Sequence, residues 1–383
     1  MARKVIHVAL NGVTGRMGYR QHLVRSLLAI REQGGLPLDD GTLLYPEPVL
    51  VGRSPERLRA IAERHGLTRW TTSLDEVLAD PEVDVYFDTQ VTSAREEALA
   101  RAIDAGKHIY TEKPVAATAA AAFALAEKAQ AAGITHGVVQ DKLFLPGVIK
   151  LRRLLREGFF GRVLSVRLEF GYWVFEGDGL PAQRPSWNYR AADGGGIVLD
   201  MFPHWHYLLE DLFGPIGAVY ARRAIHLPER WDEAGQPYAV TADDAAYAVL
   251  EFASGAVASV NSSWAVRVNR RELLELHVDG THGSAVAGLR ECAVQHQVST
   301  PMPVWNPDLP DPLDYQAMWS DVPDNTEFGN GFKAQWEMFL RAAAAGQPFP
   351  QDLFAGARGV ELAELAMRSS DEGRRIEIPG PGA

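Results

Sequence analysis

The chain has 383 residues, 46% of them hydrophobic and 23% charged, and a net charge of −11 from 38 basic and 49 acidic side chains. That length exceeds one ordinary hydrophobic core and predicts two domains, while the balanced composition excludes a disordered or collagen-like chain. The acidic balance argues against a nucleic-acid partner, no apolar run is long enough to span a bilayer, and the single cysteine, Cys292, excludes an internal disulfide and suits a reducing, cytoplasmic setting.

Val5 to Leu10 is a short apolar run of the kind a buried parallel strand shows. It leads directly into Asn11-Gly12-Val13-Thr14-Gly15-Arg16-Met17-Gly18 and then into a helical pattern from Tyr19 to Arg31. Strand, glycine turn and helix form the setting of a dinucleotide fingerprint. Glycines let the main chain approach a pyrophosphate, and the helix N-terminus offers free N–H donors. Gly12, Thr14, Gly15, Arg16, Met17 and Gly18 are therefore candidate cofactor-binding residues. The spacing is G-x-x-G-x-x-G, with Val13 where the usual G-x-G-x-x-G begins, so a plain strand-to-helix turn is the competing reading.

Further α/β units follow. Pro48 to Val51 reads as a second strand with a helix from Ser54 to His65, and Val83 to Phe87 as a third strand with a helix from Ala94 to Ala105. His108 to Tyr110 makes a fourth strand, and the alanine-rich run Ala116 to Ala126 a helix. Strands and helices alternating at this rhythm predict a doubly wound parallel sheet, with a cofactor at the C-terminal ends of its strands. An acidic residue after the second strand would hold the ribose of NAD; this chain has Gly52-Arg53-Ser54. An arginine and a hydroxyl suit a 2′-phosphate, which favours NADP, whereas a solvated turn before Pro55 would leave NAD and NADP equal.

From about Gly161 the pattern changes to alternating strands, clearest at Val163 to Val174, Gly217 to His226, Ala246 to Phe252, Ala256 to Trp264 and Leu273 to Val278. This predicts an α+β domain with an open, mostly antiparallel sheet. The stretch Tyr172, Trp173, Glu176, Asp178, Arg184, Trp187, Asn188, Tyr189, Arg190 mixes aromatic plates with polar and charged groups, as a carbohydrate site would. Tyr172, Trp187 and Arg190 are candidate substrate contacts, and Arg184 and Arg190 could instead hold an anionic group. The pattern closes with a helix from Ala355 to Ser369 and a strand-like Arg374 to Ile378. The division implied is residues 1–145 for the dinucleotide domain, 146–350 for an α+β substrate and oligomerisation domain, and 351–383 for a C-terminal helix and tail.

Two more motifs complete a pattern: Thr111-Glu112-Lys113-Pro114 after the fourth strand, and Gly194-Gly195-Gly196-Ile197-Val198-Leu199-Asp200-Met201-Phe202-Pro203-His204 much later. With the glycine fingerprint, in this order and over nearly the whole chain, they resemble the glucose–fructose oxidoreductase/inositol dehydrogenase (Gfo/Idh/MocA) family. The resemblance implies a Rossmann domain, an NAD or NADP cofactor and hydride transfer to or from a secondary hydroxyl of a sugar, polyol or glycoside. It implies a small-molecule partner and a homodimer or homotetramer. It places Thr89, Gln90, Glu112 and Lys113 beside the cofactor, with Lys113 and Lys142 reaching the substrate. Lys113, followed by a proline whose peptide bond is often cis in the family, would polarise the substrate oxygen. Asp200 and His204 share one face if the stretch opens a helix; His204 is then the acid/base and Asp200 orients the hydroxyl or the imidazole. His204-x-His206 and Asp200 lack the further ligands a metal needs, so no metal is expected.

Departures from the family pattern bear on the substrate. Where the family carries T-P-N-x-x-H the chain has Gln90-Val91-Thr92-Ser93-Ala94-Arg95, Phe202 replaces a usual glycine, and the basic position after the fifth strand falls in Gln140-Asp141-Lys142. Two alternatives stay open: a glycosidase that oxidises its substrate transiently on the same scaffold, and a non-catalytic cofactor-binding regulator.

Overall fold

A computed structural model describes residues 2–171, 184–266, 270–302, 304, 306–310 and 313–380. The chain divides into two units: Met1–Phe144 with Gly329–Glu361, and Leu145–Phe328 with Leu362–Ala383. The first cut lies within one residue of the boundary read from the sequence. The later one differs, because residues 329–361 return to the first unit and the second division falls inside the helix Leu353–Glu372.

The first unit is built on a sheet with strands in the order Leu36–Pro37, Leu43–Val51, Arg3–Asn11, Val83–Asp88, His108–Thr111, His136–Val138; Trp70–Thr71 also pairs with Leu43–Val51. All pairings are parallel except that of Leu36–Pro37, as the Rossmann reading predicts. Arg3–Asn11 is the point from which the strand order runs outward in both directions, so the crevice for a dinucleotide opens beyond Asn11. Both faces are covered. On one, Leu10, Leu23, Leu27 and Phe87 pack with Trp336, Phe339 and Phe349. On the other, Val51, Tyr86, Leu99 and Ile109 pack with Ala122, Ala126 and Val360. Apolar runs rather than alternating ones are the consequence of burial on both sides.

Residues 329–361 are integral to this core. Trp336 and Phe339 are fully buried, Tyr110 stacks on Phe339 with ring centroids 4.5 Å apart, and Trp336 meets Tyr110 edge-on at 4.7 Å. Gln335 clamps the last parallel strand, accepting from the Gln140 N–H at 2.8 Å and donating to the Val138 carbonyl at 3.2 Å.

The second unit carries a nine-stranded sheet in the order Ser320–Asp321, Cys292–His296, Gly283–Ala287, Leu274–Gly280, Val163–Phe170, Val257–Ser263, Ala245–Phe252, Ile216–Ala224, Ile376–Glu377. Its pairings are antiparallel except that of Val257–Ser263 with Val163–Phe170. The helix Ile197–Phe213 packs on one face, burying Met201, Trp205, Leu208 and Leu212. The other face is open and carries Tyr220, Tyr247, Val249 and Val257, each 40–47% exposed. No helix among the described residues is long and apolar enough to cross a membrane.

Candidate active site

The cofactor half is assembled at the C-terminal ends of the parallel strands. Gly12 has φ +84°, and a side chain there would meet the Thr89 main chain at 3.0 Å, so only glycine admits this close approach. A Cβ on Gly18 would meet the Gly12 carbonyl at 2.8 Å and Thr89 Cγ2 at 2.9 Å. The turn closes through Gly15 N–H to the Gly12 carbonyl at 3.0 Å and passes into the helix that begins at Met17. That helix is wound as a π-helix over Met17–Leu28 and as an α-helix over Ala29–Glu32, a variation the apolar spacing did not predict. Arg16 is exposed, and Thr14 and Met17 are half-buried. A glycine cradle ahead of a helix N-terminus fits a dinucleotide pyrophosphate.

Beside it lies a recess of about 230 Å³ lined by Asn11, Gly52, Arg53, Thr72, Gln90 and Arg101 among others. Arg53 is exposed at its mouth. The Ser54 hydroxyl also caps the helix Pro55–His65 by accepting from the Arg57 N–H at 3.4 Å. Thr89 and Gln90 are half-buried and follow the third strand, where the Thr89 N–H reaches the Asn11 carbonyl at 3.0 Å.

The Lys113–Pro114 peptide bond is cis, as the resemblance implies, and Lys113 is half-buried. The preceding Glu112 is buried, with one carboxylate oxygen 2.8 Å from His22 Nε2 and the other accepting the Lys113 N–H at 3.2 Å. Burial alone would raise the Glu112 pKa. The His22 hydrogen bond, with the Lys113 and Arg95 charges, outweighs it and holds the carboxyl below its ordinary value. His22 Nδ1 in turn receives the Trp336 indole N–H at 3.0 Å. On the other side of the loop, the buried Arg95 donates to Asp88, to the Gln90 carbonyl and to the Pro114 carbonyl. Lys142 lies 3.5 Å from Asp141 on the short turn that follows the last parallel strand.

The second unit holds the late motif. The helix Ile197–Phe213 begins as predicted, so Asp200 and His204 are one turn apart. Gly195 is required by packing: a Cβ would meet the carbonyls of Trp187 and Asn188 at 2.5 Å, so the turn Ser186–Tyr189 lies directly on the glycine triplet. The helix has no side-chain cap of its own. Asp243, from a distant loop, supplies one, taking the Val198 N–H on its carboxylate at 2.9 Å and the Ile197 N–H on its carbonyl at 2.9 Å. Burial pushes the Asp243 pKa up against these bonds.

Asp200 forms an ion pair with Arg184 at 2.5 Å, and Arg184 also donates to Asn188 at 2.7 Å and lies over the Trp264 ring at 4.4 Å. His204 is buried with its Nδ1 2.7 Å from the Tyr207 hydroxyl. His206, two residues on, pairs with Glu210 at 3.3 Å. Trp187 is 42% exposed, and the Arg190 guanidinium lies over the Tyr238 ring at 4.5 Å. Tyr172, with Trp173, Glu176 and Asp178, lies outside the described residues. Among the described residues no group of three or more histidine, cysteine or acidic side chains is placed to hold a metal ion.

Sequence reasoning missed Tyr207, His22, Trp336 and Asp243, and it registered Arg95 only as a departure from a motif. Helical spacing from His204 could have found Tyr207. Nothing local marks Trp336, which is 314 residues from its partner.

Comparison with known proteins agrees with this architecture. Residues 6–139 match the model of an oxidoreductase family with an NAD-binding Rossmann fold, and residues 148–286 match that of the GFO/IDH/MocA C-terminal domain. The chain is 56% identical over 379 residues to D-xylose dehydrogenase of Paenarthrobacter nicotinovorans, an alignment covering 98% of each. It is 28% identical over 262 residues to levoglucosan dehydrogenase of Pseudarthrobacter phenanthrenivorans, covering 63% of this chain and 66% of that one. Among solved structures, a levoglucosan dehydrogenase in complex with NADH and L-sorbose superposes with a TM-score of 0.80 at 23% identity, covering 99% of this chain and all of the other, which supports the fold. A parallel sheet with a glycine cradle and matches across both domains lead to one statement: the chain belongs to the Gfo/Idh/MocA family of NAD-binding oxidoreductases.

Proposed function

We propose that this enzyme is a sugar dehydrogenase acting on a CH–OH group of an aldose such as D-xylose. The observation that carries the reading is the 56% identity to a D-xylose dehydrogenase over 98% of both chains. The same observation favours net oxidation over a transient-oxidation glycosidase or a non-catalytic regulator. When bound, the nicotinamide supplies the hydride acceptor.

The chain's own residues handle the rest. Gly12, Thr14, Gly15, Arg16, Met17 and Gly18 hold the pyrophosphate, with Thr89, Gln90 and Glu112 shaping the cofactor crevice. The Lys113 ammonium binds the reacting sugar oxygen and stabilises negative charge as the proton leaves. His204 takes that proton at Nε2. Its Nδ1 is engaged by Tyr207, and for Nε2 to accept, Nδ1 must carry the hydrogen and donate it to the Tyr207 oxygen. Asp200, oriented by Arg184, receives a neighbouring sugar hydroxyl. Trp187, Arg190, Tyr172 and Lys142 complete the substrate contacts.

NADP is the preferred cofactor in this reading, because Arg53 stands at the recess beyond the second strand where NAD enzymes carry an acid. Comparing NAD and NADP affinities of wild type and Arg53→Ala tests it; equal discrimination by both proteins would remove the preference. A second copy of the chain covers the open sheet face through Tyr220, Tyr247, Val249 and Val257, giving a homodimer or homotetramer.

The decisive assay follows reduced-cofactor absorbance with NAD and NADP against D-xylose, other aldoses, polyols and glycosides, with Lys113→Ala as control. A rise with aldoses that Lys113→Ala abolishes supports the reading. Glycoside cleavage without net reduction, or cofactor binding without any turnover, would replace it.

A further inference from the structure

Arg95 sits near the start of the helix Thr92–Asp104 and is 3% exposed, yet its guanidinium is used on three sides. Its Nε donates to Asp88 Oδ1 at 3.1 Å, one terminal nitrogen donates to the Gln90 carbonyl at 2.6 Å, and the other to the Pro114 carbonyl. Asp88, also fully buried, ends the third parallel strand; its Oδ1 also takes the Gln90 N–H at 2.9 Å and its Oδ2 takes the Tyr86 hydroxyl at 2.8 Å. The Tyr86 oxygen accepts from Asn11 Nδ2 at 2.7 Å. The result is one continuous chain, Asn11–Tyr86–Asp88–Arg95–Pro114, drawn across the ends of three adjacent strands.

A buried ion pair is a weak stability device, since desolvation offsets most of the attraction. What this one does is geometric. It sets the carbonyl of Gln90, on the loop after the third strand, and the carbonyl of Pro114, immediately after Lys113, at fixed angles on one rigid plane.

We propose that Arg95 is a positioning residue for the reaction, holding the Lys113–Pro114 segment in register with the Gln90 loop at the mouth of the cofactor crevice. The proposal rests on the reading of Lys113 as the group that binds the reacting oxygen. Only a guanidinium offers donors in a planar fork that can meet a carboxylate and two carbonyls together. A lysine ammonium is a point charge that answers one or two of them, and an imidazole has at most two donors.

The test uses the full chain carrying Arg95→Lys, Arg95→His or Arg95→Met, each checked for thermal unfolding. Trace acetylation with acetic anhydride, read by mass spectrometry against Lys4 as internal reference, reports the surroundings of Lys113 without need of activity. In Arg95→Lys, the Lys113 labelling rate is expected to move by about threefold or more, because the surroundings of its amine change. The kcat is expected to fall about 10- to 100-fold, the cost of a small misplacement of a reacting group. KM for the sugar and the dissociation constant of reduced cofactor, read by its fluorescence, should stay within about threefold, a split that general loosening of the fold would not give. A folded Arg95→Lys or Arg95→His with wild-type Lys113 labelling and wild-type kcat would overturn the proposal. So would failure of all three variants to fold, which would assign Arg95 to stability. A wild-type enzyme that oxidises no sugar while Lys113 labelling still responds to Arg95→Lys would remove the sugar dehydrogenase reading and uphold the positioning.

Discussion

The indole N–H of Trp336 donates to Nδ1 of His22 at 3.0 Å, and this one contact decides which nitrogen of the imidazole carries the hydrogen. An indole can only donate, so Nδ1 must present its lone pair. Nε2 then carries the hydrogen and gives it to Glu112 at 2.8 Å, while the other Glu112 oxygen takes the Lys113 main-chain N–H. A helix near the end of the chain thus orients the carboxylate next to the proposed catalytic lysine. Trp336→Phe keeps an aromatic ring in the core but leaves His22 Nδ1 without its donor. Equilibrium urea unfolding should show a loss of about 1–3 kcal/mol, the cost of an unmatched buried polar group. Unchanged stability would mean that the bond has no net value.

Glu112 predicts a pH signature. Its folded pKa lies below its ordinary 4.5, so its contribution to stability is fully present above about pH 4.5 and is lost as the pH falls through the folded value. Glu112→Gln lacks that term. Melting temperatures of the two proteins should differ most at neutral pH and converge as the solution is acidified below about 4.5. A constant gap across that range would contradict the assignment.

Asp243 is expected to distinguish capping from charge. Asp243→Asn keeps an oxygen for the Val198 N–H and removes a carboxylate whose ionisation burial disfavours, so stability at neutral pH should hold or rise. Asp243→Ala removes the cap from the helix bearing Asp200 and His204 and should cost about 1–2 kcal/mol. Equal losses in both variants would show that the hydrogen bond is not the operative contact.

Arg184 ties Asp200 to Asn188. Arg184→Lys retains the charge but not the fork. KM for the sugar is expected to rise by about tenfold with cofactor affinity unchanged, as loss of ground-state positioning would give. A change in kcat alone would place Arg184 in the chemical step instead.

The open face of the second sheet gives a prediction that needs no substrate. Val249 lies between Tyr220 and Ser259 on neighbouring strands, with Tyr247 beside Arg222 and Asn261. Val249→Lys combined with Tyr247→Lys places charges in the centre of the proposed contact. Light scattering should report a smaller assembly than wild type; the same mass for both proteins would exclude this face.

Much of this was legible in the sequence because it is local. Apolar runs bounded by glycine marked the parallel strands, and the spacing of Asp200 and His204 required only that a helix begin after Gly196. The Glu112-Lys113-Pro114 tripeptide carried its own signal. What was illegible depends on distance along the chain. Trp336 and His22 meet because a late helix packs against the first one, and no period in either segment announces a partner. Asp243 caps a helix that starts more than forty residues earlier in the sequence, from a loop without a turn signature of its own. Arg95 stands where the family pattern carries histidine and so read as a loss; its role is visible only once the Pro114 carbonyl is seen to face it. Arg184 read as an anion binder because an exposed arginine and one already committed to Asp200 look the same in a sequence.

The return of residues 329–361 to the first unit has a consequence for synthesis. As the chain emerges from the ribosome, its first 144 residues hold every strand of the parallel sheet but lack Trp336, Phe339 and Phe349, which seal one face of it. Phe87, Tyr110 and Leu23 must wait, without these partners, while residues 145–328 of the second unit are translated. The nucleotide-binding half is thus begun before the second unit and closed only after most of that unit has been made. In the interval its apolar face is exposed to chaperones and to neighbouring nascent chains.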